Sequence, residues 1–311
     1  MFMRPLAPTA LLATLATSAM GCSFAASPDV SDAEASALVS ALVLVERSVV
    51  TNSRSETLGS KGEATRAEAV ARFVRVRGAS VDDASLRVAG VAADFPPLGT
   101  CLARTPSPVL AAAGTAPKNV ELVDVGPLVL ESGSARTALV ARQVPDTAGV
   151  LFGVVYTARS PAPSTLFPEG GSLTLRAPGT ADGDIGAFVA SATPPRDIVD
   201  VRLAGQDPRA FTLTTGDRAS STIELGWTSS PEGDGPLGDF VLIEVQSQDA
   251  ARSLHRCSWP DTGRGALPGA ALASDEGTLT VHRIRREAFH SKNLDGEIRF
   301  DFARSTPFLR R

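Results

Sequence analysis

The alternation of short apolar segments with turn-forming clusters is the feature that most constrains the fold of this chain. From Asp82 onward, segments rich in Val, Leu, Ile, Thr and Phe are separated by clusters of Gly, Pro, Asp and Ser. The turn signals recur about every 8–12 residues, a spacing typical of an all-β sandwich or barrel. The sequence therefore predicts a mainly β protein with antiparallel Ig-like β-sandwich domains.

Two prolines in the stretch SATPPRD, residues 191–197, mark the best domain boundary. Proline stiffens a connection and cannot continue a central strand, so a proline pair between two strand runs indicates a linker. We expect one β-sandwich domain over residues 80–193 and a second over residues 196–311.

The segment before these domains, residues 33–79, has an ambiguous pattern. Apolar residues recur at helical spacing at Leu38, Leu42, Val45 and Val49, whereas ALVLV also suits a buried strand. Further on, Ser60 and Glu63 have capping-box spacing before a run of helix formers, with a strand through AVARFVRVRG as the alternative. We predict a short helical or mixed segment here.

The first residues have the order of an export signal. A basic start, MFMR, is followed by an apolar stretch too short to span a bilayer and then by Gly21 and Cys22. This pattern resembles the lipoprotein signal of bacteria, with residues 1–21 as the signal peptide and 22–32 as a tether. That resemblance implies a lipid anchor on Cys22, and Ser23 after it implies sorting to the outer membrane. Ordinary cleavage after Ala25, giving a periplasmic or secreted protein, is the alternative.

The other two cysteines, Cys101 and Cys257, form an even pair in an exported chain. In an oxidising compartment such a pair is expected to form a disulfide, and here it would clamp the two predicted domains together. Two unpaired buried thiols are the alternative.

Composition and motifs argue against several functional classes. The net charge of −4 gives no case for a nucleic-acid partner. The chain has three histidines and lacks G-x-S-x-G, HExxH and Cys/His zinc spacings. We therefore predict no catalytic residue, no cofactor and no enzyme activity.

Carboxylates in turns supply weak candidates for calcium binding. Asp182 and Asp184 lie two residues apart in DGDIG, but Gly186 and the following residues do not complete an EF-hand pattern. The stretch PEGDGPLGD, residues 231–239, offers Glu232, Asp234 and Asp239 with less support. Its GDGPLG matches a dinucleotide fingerprint by letter, but a strand follows it rather than a helix. We expect solvated turns and no metal.

A basic cluster near the C-terminal end is a candidate anion-binding surface for lipid or polysaccharide. It comprises His282, Arg283, Arg285 and Arg286. A solvated strand edge whose charges discourage aggregation is the alternative.

Several stretches resemble uncharacterised exported lipoproteins of the kind numerous in myxobacteria. They are NVELVDVGPLVLE with its DxG turn, GVLFGVVYTA, GGSLTLRAPG, and the Trp-bearing IELGW, DFVLIEV, HRCSW and GTLTVHRIRR. The resemblance implies a cell-envelope location and transfers no functional residue.

We therefore expect a noncatalytic, lipid-anchored envelope protein that presents β-sandwich loops to a protein or glycan partner. An exported hydrolase with a carboxylate-based site is one alternative. The other is a periplasmic assembly factor that pairs a free sheet edge with a client strand.

Overall fold

A computed structural model describes most of the chain after residue 37. The described residues are 38–51, 63–76, 83–104, 120–146, 151–160, 171–208, 222–230, 238–247, 254–272 and 276–309. All of them belong to one compact unit, Ser36–Arg311. The predicted signal, Cys22, the tether, Glu232 and Asp234 lie outside the described residues.

The described chain is mainly β, with a single α-helix. The helix is α1 (Asp83–Val88), and Gly269–Leu272 forms one 3₁₀ turn. The strands are β1 (Val39–Thr51), β2 (Glu63–Val76), β3 (Thr100–Arg104), β4 (Val120–Leu122), β5 (Leu128–Ser132), β6 (Ala135–Val144), β7 (Leu151–Ser160), β8 (Leu173–Ala177), β9 (Phe188–Ala192), β10 (Arg202–Leu203), β11 (Thr222–Gly226), β12 (Phe240–Ser247), β13 (Leu254–Pro260), β14 (Arg264–Pro268), β15 (Glu276–Ser291) and β16 (Leu294–Leu309).

The helical prediction for residues 33–79 is wrong for the part that the structure describes. β1 and β2 occupy this segment and pair antiparallel. Val43 and Val45 point to one buried cluster, whereas Leu42 points to another on the opposite face. A strand buried on both faces is apolar at nearly every position, so its pattern also matches helical spacing.

Thirteen strands form one continuous sheet in the order β3-β13-β12-β15-β16-β1-β2-β4-β7-β6-β5-β8-β9. β1 lies in its middle, parallel to β16 and antiparallel to β2. The hairpin of β15 and β16 is the longest in the sheet, with 16 residues in each strand.

The first core forms because the sheet folds over on itself at β6. The first half of β6 pairs with β5 and the second half pairs with β7. Side chains of β5, β8 and β9 consequently pack against those of β1, β2, β7 and β16. Members of this core include Val43, Phe73, Tyr156, Leu175 and Phe300.

The second core lies between the other end of the large sheet and a separate small sheet. The small sheet has the order β10-β11-β14 and packs on β12, β13 and β15. Leu203 and Leu225 of the small sheet meet Ile243 and Val281 of the large one. Trp227, which follows β11, is also buried in this core.

Residues 89–99 cross the outer face of the large sheet, the face turned away from both cores; we call them the strap. Phe95 in the strap makes an edge contact with Phe240, with ring centroids 5.2 Å apart. Arg256 Nη1 donates to the backbone oxygen of Asp94 at 2.8 Å. The strap leads from α1 into β3, and its Ala89 and Val91 belong to a buried apolar cluster on this face that includes Leu42.

Candidate functional site

β15 brings the predicted basic residues to two different faces of the sheet, because side chains alternate along a strand. Leu279 and Val281 point into the second core, and Phe289 packs against the first. Arg283 and Arg285 follow the same alternation and lie between the two cores. His282 and Arg286 lie on the outer face.

Arg283 is 1% exposed, and its guanidinium donates five hydrogen bonds to protein acceptors. Nε donates to Asp261 Oδ2 at 2.8 Å, and Nη2 donates to Asp261 Oδ1 at 3.3 Å. Nη1 donates to the backbone oxygens of Arg196 and Asp197, both at 2.9 Å. Nη2 also donates to the oxygen of Thr228 at 2.5 Å. All five N–H donors of the guanidinium are thus satisfied within the protein.

Arg285 makes a second buried ion pair of the same kind. Its Nε and Nη2 donate to the two carboxylate oxygens of Asp239 at 2.8 and 2.7 Å. Its Nη1 donates to the backbone oxygen of Thr193 at 3.0 Å. Asp239, a weak calcium candidate in the sequence, is therefore the partner of a buried arginine.

Four arginines hold the proline-containing connection at residues 193–198, and we call them the arginine clamp. Besides Arg283 and Arg285, Arg47 of β1 pairs with the carboxylate of Asp197. Arg304 of β16 donates from Nε to the backbone oxygen of Ile198 at 3.3 Å. The clamp fixes the connection to three neighbouring strands of the large sheet, at the level where one core ends and the other begins.

Asp261, which follows β13, is the carboxylate partner of Arg283 and accepts hydrogen bonds from two further residues. It accepts from the indole Nε1 of Trp227 at 2.6 Å and from the backbone N–H of Ser230 at 3.2 Å, in addition to Arg283. Its side chain is 2% exposed. A buried charge is stable only when paired and hydrogen-bonded, which both oxygens of Asp261 achieve.

The structure does not assemble the predicted anion-binding residues into a free basic patch, so that expectation is corrected. Arg283 and Arg285 are buried and paired, and Arg286 Nε donates to Glu297 at 2.7 Å. The prediction assumed an exposed strand edge, whereas β15 is an interior strand between β12 and β16. The hydrogen-bond acceptors of Arg283 and Arg285 come from distant parts of the chain.

A row of carboxylates crosses the outer face and was not singled out from the sequence. Glu46 in β1 is in register with Asp301 of β16 on one side and with Glu68 of β2 on the other. His282 Nδ1 lies 2.7 Å from Asp301 Oδ1, and its Nε2 lies 3.8 Å from Glu244 Oε2. We call these five residues the polar row.

The polar row shifts the ionisation of two of its members. Burial, followed by the charges of Asp301 and Glu68, raises the pKa of Glu46. Burial by itself would lower the pKa of His282, but the charge and hydrogen bond of Asp301 and the charge of Glu244 outweigh it and raise that pKa. Both groups therefore bind a proton more tightly in the folded protein than they do in water.

The predicted disulfide partners lie directly opposite each other in register on β3 and β13. The sulfur atoms of Cys101 and Cys257 are 2.09 Å apart, at disulfide distance, and their Cα atoms are 4.0 Å apart. Cys101 packs against the second core, to which Cys257 belongs. Because β3 pairs with β13, the bond joins adjacent strands of one sheet beside one core. From the sequence, it was expected to clamp two separate domains together.

The candidate calcium residues are engaged within the protein. Asp184 Oδ2 lies 3.0 Å from Arg75 Nη2, and the Asp184 N–H donates to Asp182 Oδ1 at 3.1 Å. Hydrogen bonds from the Thr180 side chain and from the Asp184 backbone lower the pKa of Asp182. Among the described residues no group of three or more His, Cys, Asp or Glu side chains is arranged to hold a metal ion.

A hydrogen-bonded corner joins the DxG turn to the GVVY strand. The Tyr156 hydroxyl donates to Asp124 Oδ1 at 2.5 Å and accepts from the backbone N–H of Val125 at 2.8 Å. Asp124 Oδ1 also accepts from the N–H of Gly126 at 2.9 Å. Two of the stretches that resemble exported lipoproteins therefore meet in space.

Comparisons with known proteins identify no family. No protein-family model and no curated protein matches the chain. Among solved structures, the chain is similar to the Fcho1 mu homology domain of Danio rerio with a bound Eps15 peptide. The two are 8% identical, the match covers 86% of this chain and 97% of that chain, and the TM-score is 0.25. A TM-score this low supports no argument about fold or function. No helix in the described ranges has the length and apolar character needed to span a membrane.

Proposed function

We propose that this protein is a noncatalytic, lipid-anchored protein of the cell envelope whose rigid β scaffold presents loops to a protein or glycan partner. The observation that carries the proposal is the arginine clamp. Its guanidinium groups pair with protein acceptors and secure the connection between the two cores, so they serve the scaffold. Loops at the ends of a rigid β scaffold are a common location for binding residues.

The finer architecture in this proposal is two Ig-like β-sandwiches that share the long β15–β16 hairpin. The folded-over sheet around the first core and the small sheet over the second support a two-layer arrangement in each half. Removal of the clamp is expected to let the halves unfold separately, which a calorimetric scan would report as two transitions.

An oxidising location is supported by the cysteine pair at disulfide distance. Stable disulfides occur mainly in exported proteins, because thiols in the cytosol are kept reduced. The proposed attachment to the outer membrane is through acyl chains on Cys22, each contributing about 0.8 kcal/mol for every CH₂ that enters the bilayer.

Intact-mass measurement of the chain recovered from a cell envelope, beside a Cys22→Ser variant, tests the anchor. The expected result is a chain that begins at Cys22 with diacyl or triacyl mass and sediments with membranes. The variant loses both the added mass and the sedimentation. An unmodified N-terminus at Ala26 would overturn the anchor.

Partner binding is tested separately, by photo-crosslinking from exposed loop positions in whole cells. Ser134 and Ala181 are exposed residues in turns and are suitable positions for a crosslinking residue. The proposal predicts a discrete protein or glycan adduct from such a loop and none from Thr280 within the sheet. Equal labelling at all three positions would argue against presentation by loops.

A further inference from the structure

We propose that His282 is a pH-dependent link on the outer face of the sheet. When both ring nitrogens carry a proton, the imidazolium joins β12, β15 and β16; when one of these protons is lost, the contact between the strands weakens. The proposal is independent of the lipid anchor and of any partner. It rests on the position of one imidazole between two carboxylates that belong to two different strands.

The geometry places His282 as a bridge. Nδ1 lies 2.7 Å from Asp301 Oδ1 of β16, within hydrogen-bond distance. Nε2 faces Glu244 of β12 at 3.8 Å, is buried, and has no hydrogen-bond partner. A neutral imidazole that donates from Nδ1 to Asp301 leaves Nε2 without a proton to offer Glu244. An imidazolium has an N–H on each side and interacts favourably with both carboxylates.

The charges around His282 reinforce this preference. The titratable and charged groups on the packed elements are Glu244 on β12, Arg256 on β13, Asp301 on β16, Glu46 on β1, Glu68 and Arg72 on β2, and Arg159 on β7.

Two of the four carboxylates in the polar row have arginine partners. Arg256 Nε donates to Glu244 at 2.8 Å, and Arg159 Nε lies 3.0 Å from Glu68. Asp301 and Glu46 are in register between them. The charge of Arg72 acts on Glu46, whereas His282 lies within ion-pair distance of Asp301, at 2.7 Å. Deprotonation therefore leaves neighbouring negative charges less compensated.

The direction of the pH effect follows from linkage. The pKa of His282 is raised in the folded protein above the ordinary value of about 6.5. A raised folded pKa contributes stability that is complete below about pH 6.5 and is lost as the pH rises through the folded pKa. Glu46 acts in the same direction, beginning from a lower ordinary pKa. His255 acts in the opposite direction, because burial lowers its pKa.

Histidine NMR on the intact purified chain is the direct test, because the chain has only three histidines. The expected result is that the His282 ring signals titrate above pH 6.5 and that the β15 and β16 amides become less protected from exchange across the same pH range. Exchange rates are corrected for their intrinsic pH dependence. A His282 midpoint at or below pH 6.5, or protection that does not follow the titration, would overturn the proposal.

His282→Gln supplies the second measurement, because glutamine keeps a hydrogen-bonding side chain that cannot titrate. The matched control is His290→Gln: His290 Nδ1 also lies 2.7 Å from a carboxylate, Asp295, but this pair is exposed. When the pH is lowered from 8 to 6, the Tm of the wild type and of the control is expected to rise by about 2 °C or more relative to the Tm change of His282→Gln. If the Tm of His282→Gln keeps the full pH dependence of the wild type, the proposed link is refuted.

Discussion

Arg283 and Asp261 form a two-point ion pair in the interior, with Nε 2.8 Å from Oδ2 and Nη2 3.3 Å from Oδ1. Their side chains are 1% and 2% exposed. The pair lies where the connection between the two cores crosses the sheet, and Arg283 also binds the backbone of that connection at Arg196 and Asp197. A junction built this way depends strongly on each partner, because a buried charge that loses its counter-ion is costly.

Asp261→Asn tests this dependence. The amide removes the negative charge opposite Arg283 and cannot accept through both oxygens from Arg283, Trp227 and Ser230. We expect a loss of about 3–5 kcal/mol in the free energy of unfolding, measured with urea and tryptophan fluorescence. Asp295→Asn, in the exposed pair with His290, is the control and is expected to cost about 1 kcal/mol or less. Equal effects in the two variants would contradict a structural role for the buried pair.

Tyr156→Phe tests the corner between the DxG turn and β7. Removal of the hydroxyl leaves the N–H of Val125 without its acceptor and removes a donor to Asp124, so we expect a loss of about 1–3 kcal/mol in stability. Thr157→Val is a matched control, because Thr157 is the next residue, lies on the opposite face, and makes an exposed hydrogen bond, accepted from Arg142 Nε at 3.1 Å. It is expected to change stability by about 0.5 kcal/mol or less.

Alkaline titration offers an independent check on the same residue, because Tyr156 is the only tyrosine. Burial and then the hydrogen bond to Asp124 raise the pKa of Tyr156. The tyrosinate absorbance of the folded protein should therefore not appear near pH 10, where a free tyrosine ionises, but should appear once the chain unfolds. Because the folded pKa is raised, this group contributes stability below about pH 10 that declines as the pH rises through the folded pKa. Ionisation near pH 10 without unfolding would refute the buried corner.

Replacement of both Cys101 and Cys257 by alanine tests the cross-strand bond. The bond closes a loop with a sequence separation of 156, and loss of a native disulfide typically costs about 2–5 kcal/mol. We expect urea denaturation to show a loss in this range and reductant to reproduce it in the wild type. A wild type that is insensitive to reductant under unfolding conditions would show that the bond does not form.

Gly153→Ala tests the close approach of β4 and β7. Gly153 has φ of +120°, and an added Cβ would lie 2.0 Å from the backbone oxygen of Leu122. Because backbone atoms cannot move aside as a flexible side chain does, we expect a large loss of stability or failure to fold. Gly183→Ala is the control: φ is also positive, at +80°, but nothing lies within 4 Å of the added atom. We expect the control to cost about 1–2 kcal/mol from backbone strain alone, so thermal unfolding should separate the two variants.

Local patterns could predict the strands but not the location of β15. Alternation in GTLTVHRIRR correctly indicates a strand, and it places Arg283 and Arg285 on the same face as Leu279 and Val281. That was the available signal for a buried role, since an arginine that continues an apolar row must find acceptors. The acceptors belong to residues 193–198 and to Thr228, Asp239 and Asp261, and only the fold brings them close to β15.

The polar row could not have been found from sequence for a related reason. Glu46, Glu68 and Asp301 come from three strands, and their juxtaposition depends on the parallel pairing of β1 with β16. Residues 39–51 and 63–76 were also ambiguous between helix and strand, because both faces of these strands are buried. Only the register of the assembled sheet places the three carboxylates side by side.

The parallel pairing of β1 with β16 also constrains when the sheet can form. β1 is the earliest described strand in the chain and β16 is the latest, yet they are hydrogen-bonded neighbours in the middle of the sheet. A contact of such long sequence separation has a high loop-closure cost and forms slowly. The central sheet therefore cannot be completed before β16 has been synthesised. Until then β1 lacks its parallel partner, so the nascent chain remains without the contribution of β16 to the first core.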